Sequence, residues 1–327
     1  MSKIEEALKR ARSEKNLPVP QARRPETNGD GTGSSSAETD AETARGFDLI
    51  LRNRLAGSVA KMRQGPLTDA TALIERRIIV PDPRAEGAAD AFREIRTKIL
   101  RKAHGRNCVI MVTSVAPRAG TSFVSVNLGV AFALDAAKTA LLVECNLRNA
   151  ATARVVPTLA DEQLLGLTDY LEQPDMDISG VIHPTGIERL RVIPAGQIRE
   201  IPAEYFMSHR MRSLVDDIRG RYPDRFVILD SPPMTQAADA QTLAEMADYV
   251  VLVVPYGQVT NAQIDACLKA IDPKKLIGIV FNNEPRVERE VWRQIPREAV
   301  RLIRERAAYA WQRIVDSWTR LIGRLAH

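Results

Sequence analysis

The stretch Thr113-Ser114-Val115-Ala116-Pro117-Arg118-Ala119-Gly120-Thr121-Ser122 decides the fold of this chain. The apolar run before it, Cys108-Val109-Ile110-Met111-Val112, reads as a buried strand. The run after it, Phe123-Val124-Ser125-Val126-Asn127-Leu128-Gly129-Val130-Ala131, reads as a helix. A strand, a glycine turn and a helix N-terminus make an anion cradle, because the first N–H groups of a helix have no partner inside it. Pro117, Arg118, Ala119, Gly120, Thr121 and Ser122 are therefore the candidate nucleotide-binding residues. In a working phosphate loop a lysine follows the last glycine and reaches the β- and γ-phosphates. Here Thr121 follows Gly120. The cradle is written into the sequence, and its main cation is not.

Strand and helix patterns alternate on both sides of this loop. Strands are expected at 107–114, 139–145, 189–194, 225–230, 249–254 and 276–282, with helices at 88–102, 121–135, 204–219, 239–247 and 260–271. Runs such as Phe226-Val227-Ile228-Leu229 and Tyr249-Val250-Val251-Leu252-Val253-Val254 are apolar throughout, which suits strands covered on both faces. The alternation predicts an α/β fold with a doubly wound, mostly parallel sheet.

The chain has 327 residues, enough for one large α/β domain plus extensions. No run approaches the roughly 20 apolar residues that span a bilayer, and Met1-Ser2-Lys3-Ile4-Glu5-Glu6 lacks the layout of a secretion signal. A cytoplasmic protein is expected. Cys108, Cys145 and Cys267 lack metal-ligand spacing; the first two fall in expected core strands and read as small buried hydrophobes. The net charge of +5 is unevenly placed: ten Arg and five acidic residues between Arg286 and His327 give that tail +5, leaving the remainder near neutral.

Four regions are expected. Residues 1–15 form an amphipathic helix with Ile4, Ala7, Leu8 and Ala11 on one face. Residues 16–84 read as a mostly disordered linker, rich in Pro, Gly, Ser, Thr and acids, with short elements at 47–62 and 78–83. Residues 85–285 form the nucleotide-type domain, and residues 286–327 a basic helical extension. In the extension Trp311, Ile314, Val315, Trp318, Leu321, Ile322 and Leu325 make a continuous apolar stripe. Three destinations for it are open: its own domain, an inner-membrane surface, or a partner's juxtamembrane helix. No reading motif for nucleic acid accompanies the charge, so no nucleic-acid partner is expected.

Four segments in order carry a family resemblance. They are the loop Ala116–Ser122, the strand end Leu141-Leu142-Val143-Glu144-Cys145-Asn146-Leu147-Arg148, the strand end Phe226-Val227-Ile228-Leu229-Asp230-Ser231-Pro232-Pro233, and Asp90-Ala91-Phe92-Arg93-Glu94-Ile95-Arg96-Thr97 upstream. Over roughly 85–285 the chain resembles the bacterial tyrosine autokinases of capsule and exopolysaccharide export, relatives of the septum-site and partition ATPases. Ser2-Lys3-Ile4-Glu5-Glu6-Ala7-Leu8 is also similar to the opening of the family's soluble subset in exosortase-linked polysaccharide clusters. The resemblance implies a P-loop fold, Mg-ATP or Mg-ADP as ligand, and homo-oligomeric rings. It also implies a membrane-anchored polysaccharide co-polymerase as partner and a place at the inner-membrane face.

This chain departs from the family pattern at several positions. Thr121 replaces the loop lysine, and Glu144 and Asn146 stand where the pattern has aspartates. Arg148 is kept. Ser122 and Asp230 are kept and are the expected Mg²⁺ contacts, while Asp230 could instead cap the turn before Pro232-Pro233. Asp230 and Glu144 are the catalytic candidates if the protein is active. Arg118 either substitutes for the lysine or faces solvent. Asp90, Arg93 and Arg96 replace the pattern's Glu-x-x-Arg-x-x-Arg; their spacing puts them on one helix face, as an oligomer contact or as a solvated surface. Only Tyr309 lies beyond residue 256, so the family's C-terminal tyrosine cluster is missing. The expected function is a regulatory pseudokinase of exopolysaccharide or capsule export. An active tyrosine autokinase and a membrane-surface positioning ATPase are the alternatives; Ala116 stands where partition loops carry a second lysine, which counts against the last.

Overall fold

In the computed structural model, which describes residues 66–80, 88–156, 159, 164–197, 202–235 and 237–284, the sheet is built around the strand that leads into the glycine loop. That strand, β1 (Val109–Ser114), is joined by β2 (Thr139–Glu144), β3 (His183–Pro184), β4 (Leu190–Ile193), β5 (Arg225–Asp230), β6 (Tyr249–Pro255) and β7 (Leu276–Asn282). The order is β3-β4-β2-β5-β1-β6-β7. Every neighbouring pair is parallel except β3 with β4. β1, β2, β4 and β5 are buried along their whole length, which is why their sequences do not alternate.

Two apolar layers cover the sheet. One holds Ile110 and Val112 of β1 under α1 (Ala70–Glu75), α2 (Ala88–Lys102), α3 (Thr121–Ala133) and α4 (Thr152–Val155). The other holds Val109 and Met111 under α5 (Leu167–Glu172), α6 (Pro202–Met207), α7 (His209–Arg221), α8 (Ala237–Met246) and α9 (Asn261–Ala270). A short 3-10 turn spans Ile178–Val181. In α3, every residue from Val124 to Ala133 is buried, so the helix behind the loop is the internal one of the domain. Phe132 stacks on Phe226 with ring centroids 4.2 Å apart. Among the described residues no helix is long and apolar enough to cross a membrane.

The six expected strands and the helices α2, α3, α8 and α9 stand where the apolar patterns place them, within a few residues. The expected helix at 204–219 is two helices. Ser208 interrupts it in an extended conformation, and its hydroxyl accepts the Met211 N–H at 3.1 Å to cap α7. The packed unit also begins upstream of Ala85, where the linker is expected to run. Leu73, Ile78, Ile79 and Val80 lie in the core, the Ile79 N–H donates to Asn127 Oδ1 at 2.8 Å, and the Thr68 N–H donates to the Gly186 carbonyl. Burial of that Ile-Ile-Val run outweighs the loop-like composition around it. The helices expected at 1–15 and 47–62, and the extension at 286–327, lie outside the described residues.

Candidate functional site

β1 ends at Ser114 between β5 and β6, and the loop that follows sits at the carboxyl end of the sheet, where strand order reverses. The loop is pinned at its start. The Val115 N–H donates to the Val253 carbonyl at 3.1 Å, and Ser114 Oγ donates to the Ala116 carbonyl at 2.9 Å. Arg118 (φ 59°) and Gly120 (φ 86°) take left-handed conformations that turn the chain into α3. Gly120 is the N-cap of α3 and makes no side-chain cap bond, so the first turn offers its N–H groups to whatever lies in front.

Gly120 is also held from the side. Asn282, the last residue of β7, donates Nδ2 to the Ala119 carbonyl at 2.8 Å. A Cβ on residue 120 would lie 2.1 Å from that nitrogen. The sequence singles out Asn282 only as part of a strand; its contact with the loop joins residues 163 positions apart and has no local signal.

In front of the loop lies a cavity of about 660 Å³. Pro117, Arg118, Gly120, Thr121 and Ser122 line one side, and Asn146, Asn149 and Pro233 lie across it. Thr121 and Ser122 open α3. Arg118 is exposed at the cavity edge and is the one cation among the described lining residues; none of those residues is acidic. The Oδ1 atom of Asn146 is buried and has no hydrogen-bond partner among the described residues.

The two catalytic candidates stand side by side behind this wall, Glu144 paired with Asp230 in the parallel register of β2 and β5. Both are almost fully buried. Glu144 is occupied by the backbone: Oε1 accepts the N–H groups of Ala151 (2.5 Å) and Thr152 (2.8 Å), and Oε2 accepts that of Ala195 (3.3 Å). Asp230 accepts Ser125 Oγ at 3.1 Å and Thr152 Oγ1 at 3.5 Å. Burial pushes the Asp230 carboxyl up to about 7; hydrogen bonds from Ser122, Ser125 and Thr152 oppose the rise and the neighbouring Glu144 adds to it. The turn after Asp230 is fixed to β1, with the Ser231 N–H on the Val112 carbonyl and the Met234 N–H on the Ser114 carbonyl.

Arg148 reaches across to Asp239 in α8 at 3.3 Å. Asp239 is nearly buried, and burial raises its carboxyl while Arg148 lowers it. Asp239 is a second residue that local pattern does not single out. The oligomer candidates on α2 divide. Asp90 and Arg93 pair with each other on the surface at 2.7 Å, whereas Arg96 donates Nη1 to the Ala131 carbonyl near the end of α3 at 2.8 Å. Arg96 therefore anchors α2 to its own domain. Cys108, Cys145 and Cys267 are buried free thiols, and burial raises all three.

The site fits the polyphosphate of a nucleotide. The glycine that no Cβ may replace, the open first turn of α3 and the edge cation Arg118 face one cavity. For Mg²⁺ the residues present are Ser122, which lines the cavity, and Asp230, buried behind it and hydrogen-bonded to the Ser122 hydroxyl.

No family model matches the chain. It is 29% identical over 199 residues to the tyrosine-protein kinase Wzc of Salmonella typhimurium, covering 60% of this chain and 27% of that protein. It therefore spans about a quarter of the length of the Salmonella relatives. It is 29% identical over 214 residues to the tyrosine-protein kinase YwqD of Bacillus subtilis, covering 64% of this chain and 87% of that one. Among solved structures, the BceF tyrosine kinase domain is 25% identical with a TM-score of 0.54, covering 71% of this chain and 98% of that domain. By these similarities this chain is a homologue of the bacterial tyrosine-protein kinases, one that carries Thr121 after the last glycine of its phosphate loop.

Proposed function

We propose that this chain is a cytosolic regulatory component of capsule or exopolysaccharide export, a pseudokinase that acts by binding a membrane-anchored polysaccharide co-polymerase. The pathway is inferred from its kinase relatives. The observation that carries the non-catalytic reading is Glu144. In the resembled pattern an acid at this position acts beside the metal and the tyrosine hydroxyl; here its carboxylate holds three backbone amides and does not line the cavity. Phosphoryl transfer depends on positioning and charge stabilisation, and Thr121 supplies no charge at the lysine position.

Nucleotide would be held by the backbone around Ala119, Gly120, Thr121 and Ser122, with Arg118 at the edge. A bound polyphosphate supplies negative charge at the start of α3 and closes its free N–H groups. It would act as a structural ligand of the loop, and assembly through the Asp90–Arg93 surface of α2 would present the protein to its partner. The test is phosphotyrosine detection on the purified full chain incubated with Mg-ATP, beside a Thr121→Lys variant. The expected result is no phosphotyrosine in either protein. Phosphotyrosine at Tyr309 that disappears in Asp230→Asn would restore the autokinase. That second reading is favoured by Arg118, the one cation among the described lining residues, and it further requires Arg118→Ala to abolish the signal.

A further inference from the structure

The charges around the cavity do not match those of a magnesium–nucleotide site. Nucleotide sites hold Mg²⁺ through one or two carboxylates together with the phosphates. Among the described residues lining this cavity there is no carboxylate. Of the two acids closest in the fold, Glu144 is bonded to the amides of Ala151, Thr152 and Ala195. Asp230 is fully buried and accepts the hydroxyls of Ser122, Ser125 and Thr152, so it meets the cavity wall only through Ser122. Asn146, which does line the cavity, is neutral, and its buried Oδ1 has no partner among the described residues. Among the described lining residues the neighbouring hydroxyl-bearing Thr121 and Ser122 are neutral, and the Ser122 hydroxyl is hydrogen-bonded to Asp230.

Two losses therefore offset each other. A lysine is missing at 121, and no acid at 144 or 146 faces the ligand. What remains is an array of N–H groups at the start of a helix, a left-handed glycine and one arginine. Such an array attracts phosphate directly. A divalent ion that screens phosphate from carboxylates finds none among the described lining residues.

We propose that the cradle takes the polyphosphate of a nucleoside diphosphate as the free anion, without a divalent metal. This rests on the reading that the cradle binds nucleotide at all. It assigns Asn146 as the residue that makes binding metal-independent, by placing a neutral amide where a carboxylate would repel the phosphates.

The experiment is calorimetry of ADP binding to the full chain, once with Mg²⁺ and once with EDTA in its place. The expected affinity in EDTA is equal to that in Mg²⁺ or tighter. An affinity about tenfold or more weaker in EDTA overturns the inference while leaving the nucleotide cradle intact. Binding in neither buffer overturns both. Asn146→Asp tests the assigned residue. It is expected to weaken ADP by about tenfold or more in EDTA and to recover with Mg²⁺, since a carboxylate near phosphate costs most in a poorly solvated site. An Asn146→Asp protein that binds ADP like wild type in both buffers removes Asn146 from the explanation.

Discussion

Glu144 shows how one added methylene can change a side chain's task. An aspartate at the end of β2 would carry its carboxylate on a shorter arm; the glutamate reaches the amides that open α4 and the amide of Ala195. Glu144→Ala should therefore cost about 3 kcal/mol in urea unfolding, because three buried donors lose their acceptor. Asp230 gives a pH signature. The native carboxyl titrates at about 7 against an ordinary value of 3.8, so the native state holds the extra proton in between. Stability should fall as pH rises from about 4 to about 7, and an Asp230→Asn protein should lack that part of the slope. Thermal unfolding of both proteins across that range checks the sign. Gly120→Ala should lose about 2 kcal/mol or more, from the left-handed backbone and from the clash with Asn282. In Gly120→Ala with Asn282→Ala the loss should be smaller than the sum of the two single changes, a coupling that a double-mutant cycle reads directly.

The strands and the long helices were legible because burial on both faces forces unbroken apolar runs and burial on one face forces helical periodicity. α2 was readable at both ends, since its apolar face stops where Arg101 and Lys102 close the last turn. The break at Ser208 was not, because apolar Phe206 and Met211 continue the pattern through it and only the local backbone reveals the cap. The charges of α2 were legible as a face but not in their direction. Arg96 turns inward onto α3 while Arg93 stays outside with Asp90. Arg96→Ala should lower the thermal midpoint of the domain. Arg93→Ala should change stability by no more than about 0.5 kcal/mol, and on the proposed assembly it should weaken self-association in sedimentation velocity.

For the molecule taken together, the packed core begins earlier than composition suggests, and the motif residues come together at the carboxyl end of the sheet. Ile78, Ile79 and Val80 belong to the core although their neighbours read as linker. The loop, Asp230 and Asn146 were legible because strand-end motifs are local. Asn282 and Asp239 were not, since each meets its partner only through the tertiary fold. The charge asymmetry of the sequence makes a further prediction. With +5 and three tryptophans in residues 286–327, the full chain should co-sediment with anionic vesicles in a salt-sensitive way, and a chain ending at residue 285 should not. Equal sedimentation of the two would move the membrane contact away from the extension.

The position of Asn282 links the end of β7 to the loop. β7 is one of the two outer strands of the described sheet, paired with β6, and Asn282 is its last residue. Its side chain props the Ala119 carbonyl, and its own carbonyl accepts the Tyr256 N–H at 2.8 Å. The chain runs on from there toward the basic extension. A shift of the end of β7 is therefore felt at the Ala119 carbonyl on the floor of the cradle, and a ligand that stiffens the cradle stiffens that end of the sheet.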